Sequence, residues 1–443
     1  MSVERVLSVP ARFMYRSMAM DLPSAKQFIE DKNKLGITPG LDNVKELLTR
    51  LGNPEKDVRC LHIGGTNGKG SIFAFLQDIL MEAGKNVGRY ISPTILNYLE
   101  RFQINKENMS DNEFVRYVEL VKEQVEAMEA EGMASPSAFE IETAIAFMYF
   151  RDMNVDVALI ECGMGGALDA TNVIDNPIAS VFASISMDHM AYLGDTVEEI
   201  AANKSQIIKN NSVCISHPQS AKVSKVLQER CAQVNSTYIE VDEANISVIS
   251  EGVDGSKFSY KNGGYSISLP GTFQIENACT AIEIAQEIFE IDYELIARAV
   301  KDTEWIGRFT KVNDEPLTII DGAHNEKAWS ELNSSVNKYF TNRQIIYIIG
   351  VLSDKEYDKM VDILKDTMSY AIAITPDTPR GLDKEILADM LLVNGVPATT
   401  ANSASEAIAI AYENAEPEDV VMICGSLSFL TDYINYDYDK HKE

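Results

Sequence analysis

The chain has 443 residues, is 45% hydrophobic and 24% charged, and carries a formal net charge of −28. That length exceeds one ordinary core and predicts two domains, while the composition excludes a disordered chain. The acidic balance argues against nucleic acid or an anionic membrane as partner. No apolar run approaches the ~20 residues of a membrane helix, and six scattered cysteines without paired or zinc-ligand spacing fit a reduced, cytoplasmic protein.

Residues 1–19 carry Arg5, Arg12 and Arg16 around Pro10 without an unbroken apolar core. They are expected to be a disordered leader, or to precede a true start at Met18 or Met20. Helices are predicted over 22–34 and 41–51, then a strand over 58–63. A glycine-rich turn, Gly64-Gly65-Thr66-Asn67-Gly68-Lys69-Gly70-Ser71, follows, and then a helix over 72–83 with Gly84 at its C-cap. Strand, glycine turn and helix form a phosphate cradle. Glycines let backbone N–H groups converge on an anion, the helix start adds partial positive charge, and Lys69 reaches the outer phosphates. The turn departs from the common P-loop pattern: three residues separate Gly64 from Gly68, and Gly70 intrudes between Lys69 and Ser71.

A strand over 86–91 leads into Ser92-Pro93-Thr94, and helices are predicted over 111–131 and 137–150. Residues 155–160 form a continuous apolar run, as in a buried parallel strand, that ends in Glu161 and a glycine cluster. An acid at the carboxyl end of such a strand, in a chain with a phosphate turn, sits where a nucleotide enzyme places a Mg²⁺ ligand. The strand over 178–185 ends similarly in Asp188-His189, near enough in the expected sheet for His189 to join Glu161. A capping box at Thr196 and Glu199 starts a helix to about residue 209. From pattern alone, Lys204 on that helix is a solvated surface residue.

Residues 213–264 mix a strand, a helix and short β pieces, and a helix follows over 275–289. Past the connector Trp305-Ile306-Gly307-Arg308-Phe309, strands over 317–320, 345–349, 370–374 and 420–423 alternate with helices over 326–339, 355–365, 384–392 and 404–414. The predicted fold class is therefore α/β. A P-loop-type ATPase domain with a largely parallel sheet is expected over 20–301, and a smaller Rossmann-like domain over 302–443. The first strand of the second domain ends in Asp321-Gly322-Ala323-His324-Asn325, at the sheet end where ligands bind.

The phosphate turn with its extra glycine resembles that of the Mur ligase superfamily, and within it the folylpolyglutamate and dihydrofolate synthases. Further motifs fall in that family's order: Ser92-Pro93, Phe139-Glu140, Glu161 to Gly166, Leu168-Asp169-Ala170-Thr171-Asn172, Asp188-His189, Leu193 to Thr196 and Lys204. Then come Gln274 to Ala278, Trp305 with Gly307-Arg308-Phe309, Asp321 to Asn325, and Gly425-Ser426-Leu427. Each is weak alone; the ordered set is specific.

The resemblance implies an ATP-dependent ligase in which Lys69, Glu161, His189 and Lys204 serve catalysis. Thr66, Asn67, Gly68, Lys69, Gly70 and Ser71 would hold the ATP phosphates, and Asn277, Arg308 and Asp321 would contact ATP. Two Mg²⁺ ions would be held by Ser71, Ser92, Glu161 and His189. Lys204 would be an N6-carboxylysine, against its surface pattern. Ser137, Ala138, Phe139, Leu168, Asp169 and Ala170 match the pterin-binding region. The implied reaction adds L-glutamate to dihydropteroate or to the tail of a reduced folate through an acyl phosphate, in a monomer. Alternatives are a folylpolyglutamate-only synthase, a Mur-type ligase acting on another carboxylate, and a nucleotide-binding regulator without turnover. Thr94, Ala167 and Phe273 depart from the family's histidine, arginine and histidine, and bear on substrate identity more than on chemistry.

Overall fold

A computed structural model describes residues 20–34, 40–188, 190–427 and 430–434; the leader 1–19 and His189 lie outside the described residues. The first half contains α1 (Leu22–Asn33), α2 (Asp42–Arg50), β1 (Cys60–Gly64), α3 (Lys69–Glu82), β2 (Val87–Tyr90), β3 (Phe102–Ile104), β4 (Glu107–Asn108), α4 (Asp111–Ala130), α5 (Ala138–Asp152) and β5 (Val157–Glu161). There follow β6 (Ala179–Phe182), α6 (Met190–Leu193), α7 (Val197–Lys204), β7 (Val213–Ser216), α8 (Ala221–Gln233) and β8 (Thr237–Glu240). A hairpin sheet of β9 (Ile246–Gly252), β10 (Gly255–Tyr260) and β11 (Gly263–Ile267) precedes α9 (Gln274–Phe289) and α10 (Tyr293–Ala299).

These strands build an eight-stranded sheet in the order β4-β3-β2-β5-β1-β6-β7-β8, antiparallel only at β2–β3 and β3–β4. Its core strands are buried along their whole length because helices cover both faces. Leu61, Ile63, Val157 and Leu159 pack with α3 and α9, while Cys60, Ala158 and Ile160 pack with α1, α2, α4 and α5. Two predicted edges move. The helix after the phosphate turn begins at Lys69, three residues earlier than predicted, because Gly68 at φ +90° ends the turn there. The helix carrying Lys204 stops at that residue and passes into a short 3₁₀ turn.

The remainder contains β12 (Thr310–Asp314), β13 (Leu317–Asp321), α11 (Glu326–Tyr339), β14 (Ile345–Ile349), α12 (Tyr357–Leu364), β15 (Tyr370–Ala373), α13 (Lys384–Val393), β16 (Ala398–Thr400), α14 (Ala404–Asn414) and β17 (Val420–Cys424). Its six strands run β12-β13-β17-β14-β15-β16, with β12 alone antiparallel. Trp329 on α11 is fully buried, and its indole N–H donates to Ala323 O at 2.9 Å, tying the helix to the loop after β13. The short edge strands β12 and β16 carry too little periodicity to be predicted; the central strands match their expected positions. No helix among the described residues is long and apolar enough to cross a membrane.

Candidate active site

The carboxyl ends of β1, β5, β2 and β13 converge on one cavity of about 440 Å³. The phosphate loop leaves β1 and is pinned to the chain after β6: the Thr66 and Asn67 N–H groups donate to Ser184 O at 2.7 and 3.3 Å. The Thr66 hydroxyl donates to Ser186 O at 3.2 Å and accepts from Ser186 N at the same distance. At Gly68 a Cβ would collide with the Asn277 amide on α9, so only glycine lets the loop and α9 approach. At Gly70 a Cβ would lie 2.5 Å from the indole nitrogen of Trp305. The intruding glycine therefore makes room for the connector's tryptophan.

Lys69 Nζ donates to Gly65 O and Thr66 O, each at 3.2 Å, and lies 3.7 Å from Glu161. Glu161 is 7% exposed and accepts the Ser92 N–H at 3.0 Å. Burial raises its pKa against the pull of Lys69. Lys204, predicted from its pattern to be solvated, is 5% exposed, and its Nζ donates to Gly65 O at 3.0 Å. Burial, then the nearby Lys69 charge, lowers its pKa to about 8. Two lysines thus share one backbone carbonyl, 139 residues from the second of them in sequence.

From the other sheet, Asp321 accepts the N–H groups of Phe309 and Ala323, both at 2.8 Å. Arg308 is half-buried, its pKa lowered by desolvation and supported by Asp321. Arg308, Asp321, Asn277, Lys69, Ser71, Ser92 and Glu161 all line the cavity, so the expected ATP and metal residues among those described meet in one place. Lys355 also reaches across the cleft to Asp188 at 3.1 Å.

The expected pterin residues do not line this cavity. The Ser137 hydroxyl and Glu140 carboxylate cap α5 reciprocally. Ala138 and Ala170 are buried. Phe139 stacks on Tyr90 at 5.9 Å and fills the space beside Gly163. Asp169 is 6% exposed and spends its carboxylate on Met164 N, Thr171 N and the Thr171 hydroxyl. The same hydroxyl meets His62 Nε2 at 2.8 Å. Leu168 alone of the six stands at the surface, 57% exposed. The set sits beside the cavity, behind Gly163.

Sequence reasoning missed Arg89, Gln77, Gln103 and His217, all of which line the cavity. An arginine inside the short strand β2 was the one available signal.

Residues 63–285 match the Mur ligase middle domain, and residues 307–427 match the Mur ligase glutamate ligase domain. Fold and site together define an ATP-dependent Mur-type ligase. The chain is 33% identical over 421 residues to the dihydrofolate synthase/folylpolyglutamate synthase of Bacillus subtilis, covering 92% of this chain and 97% of that one. It is similar to the crystal structure of Mycobacterium tuberculosis folylpolyglutamate synthase complexed with ADP and AMPPCP, at a TM-score of 0.86 and 26% identity over 94% of this chain and 99% of that one. It is also similar to E. coli FolC in complex with DHPP and ADP, at a TM-score of 0.84 and 27% identity over 97% of this chain and all of that one. The chain belongs to the dihydrofolate synthase/folylpolyglutamate synthase family, and it is a ligase that uses ATP as co-substrate.

Proposed function

We propose that the enzyme joins L-glutamate to dihydropteroate and to the glutamate tail of reduced folates, acting as a cytoplasmic monomer. The observation that carries this reading is the convergence of Lys69 and Arg308 with Glu161 and Ser92 on one cavity between the two sheets, with Lys204 held against the Gly65 carbonyl beneath the phosphate loop. In a chain of net charge −28, such local cations are what an anionic nucleotide and a carboxylate need. The related structure holding ADP with DHPP supports the substrate classes. The six cysteines, all buried and unpaired, suit a reducing compartment.

A carboxylate is a poor acyl donor because an oxide would have to leave. In the proposed reaction its oxygen attacks the γ-phosphorus of ATP, and ADP departs. The amine of glutamate then attacks the acyl carbon; phosphate leaves and the nitrogen loses a proton to solvent. Lys69 and Arg308 face the charge that spreads over the transferring group. The phosphate loop orients it, and closure of residues 302–443 over residues 20–301 excludes water from the acyl phosphate.

Mg²⁺ fits the residues present. Ser71 Oγ is buried without a hydrogen-bond partner, and Glu161 offers a carboxylate beside Ser92. Among the described residues no three acidic, histidine or cysteine side chains converge on one point, which suits an ion that takes one carboxylate, hydroxyls, waters and phosphate oxygens. Bound there by Ser71, Ser92 and Glu161, it would neutralise phosphate charge. His189 is proposed for a second site. Lys204 is buried with a pKa lowered to about 8, which raises the share of the neutral amine that carbamate formation with CO₂ requires, so we propose it is carboxylated.

A second reading, folylpolyglutamate synthesis alone, is favoured by Asp169, whose carboxylate is already committed to its own loop. Phosphate release from ATP decides between them. Release requiring glutamate with dihydropteroate supports both activities, release only with a reduced folate supports the second reading, and none with either acceptor refutes both.

A further inference from the structure

Arg89 lies within β2 with its side chain on the α3 face of the sheet, and it is only 7% exposed. Its Nη1 donates to Gln77 Oε1 on α3 at 3.1 Å, and its guanidinium lies 4.8 Å from the Trp305 ring centroid. Gln103, its cross-strand partner on β3, is equally buried. All four side chains line the cavity.

Among the described residues, no carboxylate comes within 4 Å of this guanidinium. Glu100, Glu161 and Asp78 act on it only from further away. Each has a nearer partner: Glu100 takes the Ile95 and Leu96 N–H groups, Glu161 takes that of Ser92, and Asp78 pairs with Lys106. Arg89 Nε and Gln77 Nε2, both donors, have no hydrogen-bond partner in the protein. Burial lowers the arginine's pKa to about 10, which still leaves it charged at neutral pH. A buried cation with no contacting counter-charge is costly, and a bound anion would offset that cost.

The geometry separates this anion from the ATP phosphates. β5 lies between β2 and the phosphate-loop strand β1, so Arg89 is set off by two strand spacings, ~10 Å. Along its own strand it stands three residues before Ser92, again ~10 Å. An acceptor that presents its reacting carboxylate near Ser92 and Glu161 would bring a neighbouring carboxylate within reach of this side chain. Folate tails have such a group; dihydropteroate does not.

We propose that Arg89, backed by Gln77, binds a free carboxylate of the acceptor's glutamate tail adjacent to the one that reacts. The proposal rests on the glutamate-adding function above and makes Arg89 a residue that selects glutamylated acceptors over dihydropteroate.

The test compares wild type with Arg89→Met, which keeps an unbranched apolar stem against Trp305, and with Arg89→Lys. KM for mono- and diglutamylated reduced folate should rise roughly 10- to 100-fold in Arg89→Met. KM for ATP and for dihydropteroate should stay within about twofold, and Arg89→Lys should recover part of the loss. An unchanged KM for the glutamylated acceptors overturns the proposal. An equal loss on every substrate also overturns it, because it assigns Arg89 only to holding Trp305. If wild type uses neither acceptor, the glutamate-adding reading fails, and calorimetric titration with γ-linked triglutamate still decides the anion site. Binding that Arg89→Met abolishes upholds it, and no binding to wild type sinks it. Should Arg89→Met not fold, Gln77→Leu carries the same comparison.

Discussion

Asn67 in the phosphate loop and Asn325 at the start of α11 exchange two amide hydrogen bonds, Nδ2 of each donating to Oδ1 of the other at 3.1 and 3.0 Å, across 258 residues of sequence. Asn325 Oδ1 also caps α11 by accepting the Ala328 N–H at 2.9 Å. The phosphate loop is therefore joined directly to the helix that follows Asp321, a contact that the proposed nucleotide binding and closure would share. Replacing either asparagine by alanine removes both bonds. We expect KM for ATP to rise several-fold in each single variant and hardly further in the double, a coupling of about 1 kcal/mol. Additive losses in the double-mutant cycle would dissociate the pair from closure.

Lys204 makes a prediction about stability as well as turnover. Its folded pKa of about 8 lies below the ordinary 10.5, so between these values the unfolded chain binds more protons. Stability should then rise with pH from about 8 to 10.5, and below that window the full burial cost of the ammonium, roughly 3 kcal/mol, is present. In carbonate-free buffer, Lys204→Met should be more stable than wild type at pH 7, converge with it near pH 10, and turn over no substrate. Urea titrations at both pH values check the first two points. With ¹³C-bicarbonate, wild type and not the variant should show a carbamate carbon signal by NMR.

Gly70→Ala tests why the phosphate loop carries its extra glycine. The new methyl would press on the Trp305 indole, displacing the connector that carries Arg308. Activity should drop by at least ~10-fold, since overpacking here costs about 1–3 kcal/mol. Trimming the ring with Trp305→Leu in the same chain should return part of it. If the double variant is no better than Gly70→Ala, the clash is not the cause.

Burial holds His62 neutral, with a pKa of about 3 against an ordinary 6.5. The folded protein therefore binds fewer protons than the unfolded chain between these values. Stability is lost as pH falls through that window, by up to ~1.4 kcal/mol per pH unit for this residue. His217 and His324, each lowered to about 4 by burial, add to the same acid limb. His62→Gln should flatten the limb by one proton's share, measured as the slope of unfolding free energy between pH 4.5 and 6. An unchanged slope would show that His62 does not titrate on unfolding.

Much of the site was legible because its parts are local. A glycine turn between strand and helix, and Glu161 at the end of an apolar run, each follow from a few adjacent residues. From its own pattern Lys204 was not legible as a site residue; only the family resemblance pointed to it. Its helix shows an ordinary capping box, and only the docking of its last turn beneath the Gly65 carbonyl buries the amine. The expected pterin residues are local motifs too, and the structure shows what else they do. Ser137 caps a helix and Asp169 braces its own loop, both beside the cavity and outside its lining.

The amino-acid sequence by itself determined the alternation of strands and helices, the phosphate turn, and the apolar strands that had to be buried on both faces. Backbone preference and side-chain periodicity act over a few residues, so they can be read along the chain. Tertiary structure alone decided that β5 lies between β1 and β2, which sets Glu161 against both Lys69 and Ser92. It also decided that Asn325 reaches Asn67. Such contacts depend on strand order, and strand order follows from burying whole faces of two sheets at once, which no short stretch of sequence records.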